Sequence, residues 1–153
     1  MLNLLEASLE EVQTQSAGKQ RVLVSPHHVL AASEAEHIIA VAGYPTGRHH
    51  SLVKAAEARL AVQSGAAEVW VAVDALLGDA TSLLSELVTL REACPLPVRL
   101  GLILPADSRL APLELARAAE QAGYQCLVDS GSVVSNDDAL DTQLPLESLR
   151  AGA

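Results

Sequence analysis

The stretch His37-Ile38-Ile39-Ala40-Val41-Ala42-Gly43-Tyr44-Pro45-Thr46-Gly47, followed by Arg48-His49-His50 and then Ser51-Leu52-Val53-Lys54-Ala55-Ala56-Glu57-Ala58, decides the fold. After His37 the first part is an unbroken aliphatic run with no polar alternation, the signature of a strand buried on both faces. Two glycines and a proline then break it into a turn. Ser51 is placed to cap a helix over residues 52–64, and Gly65 to close it. A buried strand that turns directly into a helix is one half of a βαβ unit.

The same unit repeats outward. Residues 68–73 read as a strand, and residues 81–93 as a helix turning Leu83, Leu84, Leu87 and Leu90 inward. Residues 98–104 form a strand stopped by Pro105. A helix starts near Pro112 and ends at Gly123, and residues 125–128 make the last strand. Towards the N-terminus, Val22-Leu23-Val24 is a strand ended by Pro26, and residues 29–35 suit a short helix. The spacing of Leu2, Leu5, Leu9 and Val12 predicts a helix over residues 2–13. The expectation is an α/β fold of five parallel strands alternating with helices. It occupies residues 1–135 as one domain, with an acidic, partly loop-like tail over 136–153 and a last helical turn near 146–150.

Composition narrows the function. The chain has 153 residues and a formal net charge of -9, which argues against a nucleic-acid partner. With no Phe and one Trp, the core must be built from aliphatic residues. Cys94 and Cys126 read as buried free thiols, not a disulfide framework. No apolar run approaches a membrane span, the N-terminus lacks the pattern of a signal peptide, and the expected location is the cytoplasm.

The quoted stretch resembles the deoxyribose-phosphate aldolase family. There a strand ends in Gly-Phe-Pro-x-Gly and the next helix carries Val-Lys-x-x-Glu-Ala, matching Gly43 to Gly47 and Val53 to Ala58. Val22-Leu23-Val24-Ser25-Pro26, Gly65-Ala66-Ala67-Glu68-Val69, Leu90-Arg91-Glu92-Ala93-Cys94 and Ala118-Ala119-Glu120-Gln121-Ala122-Gly123 also resemble the family, in the same order. The resemblance implies part of a (β/α)8 barrel, corresponding to its strands two to six, as a partial barrel or an opened sheet. It also implies a lyase that cleaves deoxyribose 5-phosphate through a lysine Schiff base, with no cofactor.

The departures fall on the chemistry. Val128 stands where the resemblance places the Schiff-base lysine, and Trp70 where it places an aspartate that moves protons. The lysine of the family's fifth strand falls on Arg99 or Leu100, and an arginine holds anions without replacing a tunable amine. Lys54 and Glu57 match positions that support the scaffold. Trp70 and Val128 are expected to face the barrel interior as core.

Other candidates are weaker. His27 and His28 follow one strand and His49 and His50 the next, in loops at strand carboxyl ends. With Asp74 nearby they suggest a metal or small-molecule rim. Ser130 and Gly131, beside Asp129 and Ser132, suggest an anion cradle. The reading that follows is an aldolase-like chain without the aldol reaction, serving a structural, binding or regulatory role, with a sugar phosphate as candidate ligand. An active lyase completed by a partner subunit is the alternative, and a His-rim binding protein the next. An uncovered barrel-facing surface and two open strand edges predict a homo-oligomer, with a two-fold dimer favoured.

Overall fold

The computed structural model of the chain describes residues 1–131 and 141–149. Seven strands form one parallel sheet in strict sequence order. They are β1 (Leu2–Asn3), β2 (Arg21–Val24), β3 (His37–Ala42), β4 (Glu68–Ala72), β5 (Arg99–Leu104), β6 (Cys126–Asp129) and β7 (Leu146–Ser148). Helices α1 (Leu9–Ser16), α2 (Ser51–Gln63), α3 (Ala80–Ala93) and α4 (Pro112–Gln121) lie between them. Parallel neighbours in sequence order are what repeated crossovers on one side produce, and they curl the sheet into a half-barrel with its helices outside. The expected α/β class and barrel-like architecture are both present.

The sheet has seven strands where five were expected. The helix predicted over residues 2–13 does not begin until Leu9, because Ser8 Oγ caps it by accepting from Glu11 N at 3.2 Å. Ahead of that cap, Leu2 and Asn3 pair with Val22 and Leu23 as β1. The helical spacing of Leu2 and Leu5 is a coincidence, since both are apolar for the sake of the sheet. The short helix over residues 29–35 is instead two 3-10 turns, Pro26–His28 and Leu30–Ala32. The helical turn expected near residue 146 is β7, which pairs Leu146, Glu147 and Ser148 with Leu127, Val128 and Asp129. Ser132, Arg150 and the proposed boundary at residue 135 lie outside the described residues.

Alternation along each strand divides the core in two. Val69, Val71, Leu100, Leu102, Leu104 and Leu127 face the helices and meet Leu83, Leu87, Leu90 and Leu115. Leu23, Ile39, Val41, Trp70, Ala72, Ile103, Cys126 and Val128 face the concave side, joined by Leu149. Burial on both faces is why the strands read as continuous apolar runs.

Among the described residues, the concave surface expected to be open is covered, while β1 and β7 remain the two edges of the sheet. Asn3 Nδ2 donates to the carbonyl of Leu149 at 2.7 Å, joining the segment beyond β7 to β1. Arg21 of β2 reaches Glu147 of β7 at 3.0 Å. Met1 and Leu5 pack onto the concave cluster, in which Trp70 and Val128 are 0% exposed. The two short edge strands supply the cover that the sequence reading assigned to a second subunit.

Gly101 sits opposite both Trp70 and Cys126 in the ladder. A Cβ there would lie 2.7 Å from Cys126 Sγ and from Trp70 Cδ1. The missing side chain makes the space the indole occupies. Gly101→Ala should therefore cost about 1–3 kcal/mol of stability through overpacking, read as a lower urea midpoint at unchanged slope. A midpoint at or above that of the parent would show that the interior is looser than described.

Candidate functional site

Four successive strands begin with a charged or titratable residue: Arg21, His37, Glu68 and Arg99. All four side chains converge at the amino-terminal end of the sheet, where β7 adds Glu147. Glu68 is the centre, 0% exposed. Its Oε1 is hydrogen-bonded to His37 Nε2 at 2.8 Å and lies 3.7 Å from Arg21. Its Oε2 accepts from Trp70 Nε1 at 2.8 Å, Arg99 Nε at 3.2 Å and the Cys126 thiol at 3.7 Å. Glu147 bridges the same two arginines, at 3.0 Å to Arg21 and 3.3 Å to Arg99. The result is an alternating ring of charges beneath a buried indole.

Burial pushes the Glu68 carboxyl up, but the hydrogen bonds from His37 and Trp70 and the charge of Arg99 outweigh it and hold the pKa below the ordinary value. The Cys126 thiol moves the other way. Burial, then the neighbouring Glu68, pushes it up to about 12, so it stays protonated and is a poor nucleophile. Glu68, Cys126 and Glu147 bring their ligand atoms within 4.8 Å of one another. Two arginines already neutralise these carboxylates, and that charge disfavours a cation. At the amino-terminal end of a barrel sheet, such a network serves stability.

Val128 and Trp70 do face the interior, both within the apolar concave cluster. Arg99 points to the same side at the amino-terminal end, engaged by Glu68 and Glu147, whereas Leu100 faces the helices. Ser130 Oγ donates to the carbonyl of Leu104 at 2.8 Å, and the Gly131 N–H donates to the Asp129 carboxylate at 3.0 Å. The Gly131 amide and the Ser130 hydroxyl are thus engaged within the chain.

The histidines stay apart by role. His27 and His28 stack on each other, ring centroids 3.8 Å apart. Burial, with the neighbouring His27, lowers the pKa of His28. His50 Nδ1 caps α2 by accepting from Leu52 N at 3.1 Å, and His49 lines a separate cleft with Arg48 and Asp74. Among the described residues, no histidine joins a group with metal-binding geometry.

Lys54 points into the core and not toward Glu57. It is 1% exposed, its ammonium donating to the carbonyl of Ala72 at 2.9 Å and pairing with Glu86 at 3.0 Å. Glu57 accepts from the Gly43 N–H at 2.8 Å. Gly43 has φ +72°, and an added Cβ would lie 2.7 Å from Lys54 Cδ. This locks the turn after β3 onto α2, the scaffold role expected of both residues.

The carboxyl ends of β1–β3 carry a cavity of about 700 Å³, lined by residues that include Asn3, Ser25, His27, Val41, Tyr44 and Glu57, with Glu6 at its edge. Ligands of parallel sheets bind at this end. The Tyr44 hydroxyl, the His27 ring nitrogens and the Glu6 carboxylate make no hydrogen bond to the described residues, which leaves them available to a polar molecule. Sequence reasoning found His27 here but missed the cavity, and it missed the Glu68 ring. The run of titratable residues at four strand starts was the signal for that ring.

No family model matches the chain. A deoxyribose-phosphate aldolase from Nocardia farcinica is 41% identical over 116 residues, covering 72% of this chain and 52% of that protein. Among solved structures, the aldolase QR15 superposes with a TM-score of 0.71 at 21% identity, over 83% of this chain and 63% of the other. A tetrameric deoxyribose phosphate aldolase from Aeropyrum pernix gives 0.66 at 19% identity, over 84% and 60%.

Because the folded pKa of Glu68 lies below its unfolded value, its contribution is fully present above the unfolded value, near 4.5, and is lost as pH falls through the folded one. Glu68→Gln should cost about 1–3 kcal/mol at pH 7, since a buried neutral amide takes the place of the carboxylate that accepts from His37, Trp70 and Arg99, while Glu147 still pairs with both arginines. The deficit should shrink as both proteins are taken below pH 4. Urea midpoints measured from pH 3 to 7 check this, and a deficit that does not change with pH would assign the cost to packing.

Proposed function

We propose that this chain, a relative of the deoxyribose-phosphate aldolases that spans about half the length of the curated relatives it matches, has a binding or structural role and does not perform the aldol reaction. The packing at Val128 carries the reading. Its side chain is 0% exposed among Trp70, Ile103 and Cys126, where a Schiff-base mechanism needs an amine. The chain's two lysines are Lys19 and Lys54. Lys54 is held in its pair with Glu86 on the helix side of β4, and Lys19 lies before β2.

In this reading the cavity at the carboxyl ends does the binding. The Tyr44 hydroxyl and the His27 ring suit the hydroxyls of a sugar, and a sugar phosphate is the ligand proposed. Its phosphate would point to solvent, away from Glu6 and Glu57. We place the protein in the cytoplasm as a homodimer, with the tetrameric relative as support for self-association. The 41% identity to a named aldolase favours a second reading, an active lyase completed by a partner subunit.

Borohydride trapping separates the two. Incubated with acetaldehyde and reductant, the folded chain should gain no adduct beyond that of an unstructured lysine peptide, and deoxyribose 5-phosphate should yield no acetaldehyde. A saturable adduct mapped to Lys54 or Lys19 would overturn the non-catalytic reading.

A further inference from the structure

β7 covers part of the concave side but adds little to the core. It stands at the edge of the sheet, with a ladder to β6 alone. Every residue of β4 is buried, whereas over residues 146–149 only Leu149 is. What holds the strand is polar. Glu147 pairs with Arg21 at 3.0 Å and with Arg99 at 3.3 Å, and the Leu149 carbonyl accepts from Asn3. The three ion-paired side chains, Glu147, Arg21 and Arg99, are 21%, 35% and 37% exposed, so water screens their attraction. A segment with few buried apolar contacts opens before the core does.

Its neighbours are held without it. Just before β7, the Thr142 hydroxyl and the Gln143 N–H both donate to Glu120 of α4, and Leu144 packs on the helix-side core. Pro145 separates this docked stretch from the strand. At the amino-terminal end, Glu68 keeps His37, Trp70, Arg21 and Arg99 as partners whether or not Glu147 is present.

One reactive group lies under the strand. Glu147 is in register with Val128, and its carboxylate lies within 4.8 Å of the Cys126 sulfur. We propose that β7 is a detachable strap that swings out about Pro145 and uncovers the Cys126 thiol while β2 to β6 stay folded. With the strap closed, Cys126 is 0% exposed. Burial and then Glu68, with Glu147 adding to them, hold the thiol protonated. With the strap open, the cover and the Glu147 charge are both gone, and the sulfur is accessible to an electrophile. The fold thus carries a gate on the reactivity of one thiol, latched by two exposed arginines.

N-ethylmaleimide labelling of the folded chain, followed by peptide mass mapping, reads Cys126 separately from Cys94. The Cys126 rate should rise only slightly with urea below the unfolding transition, because release of a short strand exposes little surface. Glu147→Gln should raise that rate about fivefold and keep the shallow urea dependence. A Cys126 rate that follows urea with the slope of global unfolding, taken from far-UV circular dichroism, overturns the strap, since the thiol is then reached only in the unfolded chain. An unchanged Cys126 rate in Glu147→Gln overturns it too, since the ion pairs then do not hold the strand. If the variant is unfolded by its spectrum, the urea dependence of the parent decides alone.

Discussion

A buried carboxylate at the first position of β4 organises this fold. Glu68 has no exposure to water, so its charge must be balanced by neighbours. Those neighbours come from four strands: Arg21 of β2, His37 of β3, Trp70 of β4 itself and Arg99 of β5. Because each partner is fixed at or near a strand start, satisfying one carboxylate also fixes the stagger of the central strands. Glu147 extends the ring to β7, tying a three-residue edge strand to the opposite side of the sheet.

The hydrogen bond from Trp70 Nε1 to Glu68 links that ring to the apolar interior above it. A buried indole needs an acceptor for its one donor, and the carboxylate two residues earlier on the same face supplies it. The indole is then too large for an ordinary neighbour, and Gly101 yields the room. Cys126 and Val128 close the layer from β6. An ammonium at residue 128 would need a carboxylate or water within this layer. The nearby carboxylates, Glu68 and Glu147, are already engaged by Arg21 and Arg99. The apolar side chain at residue 128 is thus the one this filled layer accommodates.

What the sequence made legible follows the same logic. The central strands are long enough, and buried on both faces enough, to show as aliphatic runs, and α2, α3 and α4 lie close to where turn and capping residues set them. The inward direction of Trp70 and Val128 was expected from the resemblance, which sets them at the family's interior catalytic positions, and not from any alternation in these apolar runs. β1 and β7 were not readable. Two- and three-residue strands have no period, and what defines them is pairing with distant partners, such as Leu2 with Val22 or Leu146 with Leu127. Without them, the sheet seemed to leave its concave face open. The Glu68 ring was hidden for a related reason. Glu68, taken alone, reads as a solvated residue at a strand start, and only the stagger brings arginines from neighbouring strands onto it.

These omissions change where an exposed apolar surface lies. Five strands would leave the inside of the curl uncovered. Seven strands, joined by Asn3 to Leu149, cover it. The short connection between β2 and β3 has the opposite effect on the outside, where it removes the helix that would flank α2. The chain thus buries the face expected to be sticky and exposes one that amphipathic periodicity alone would count as an ordinary helix surface. Four large apolar side chains more than half exposed, around one helix and its neighbouring turn, exceed the scattered single residues that a soluble surface carries without consequence. Among the described residues, the exposed apolar side chains thus cluster along α2 and not on the barrel interior.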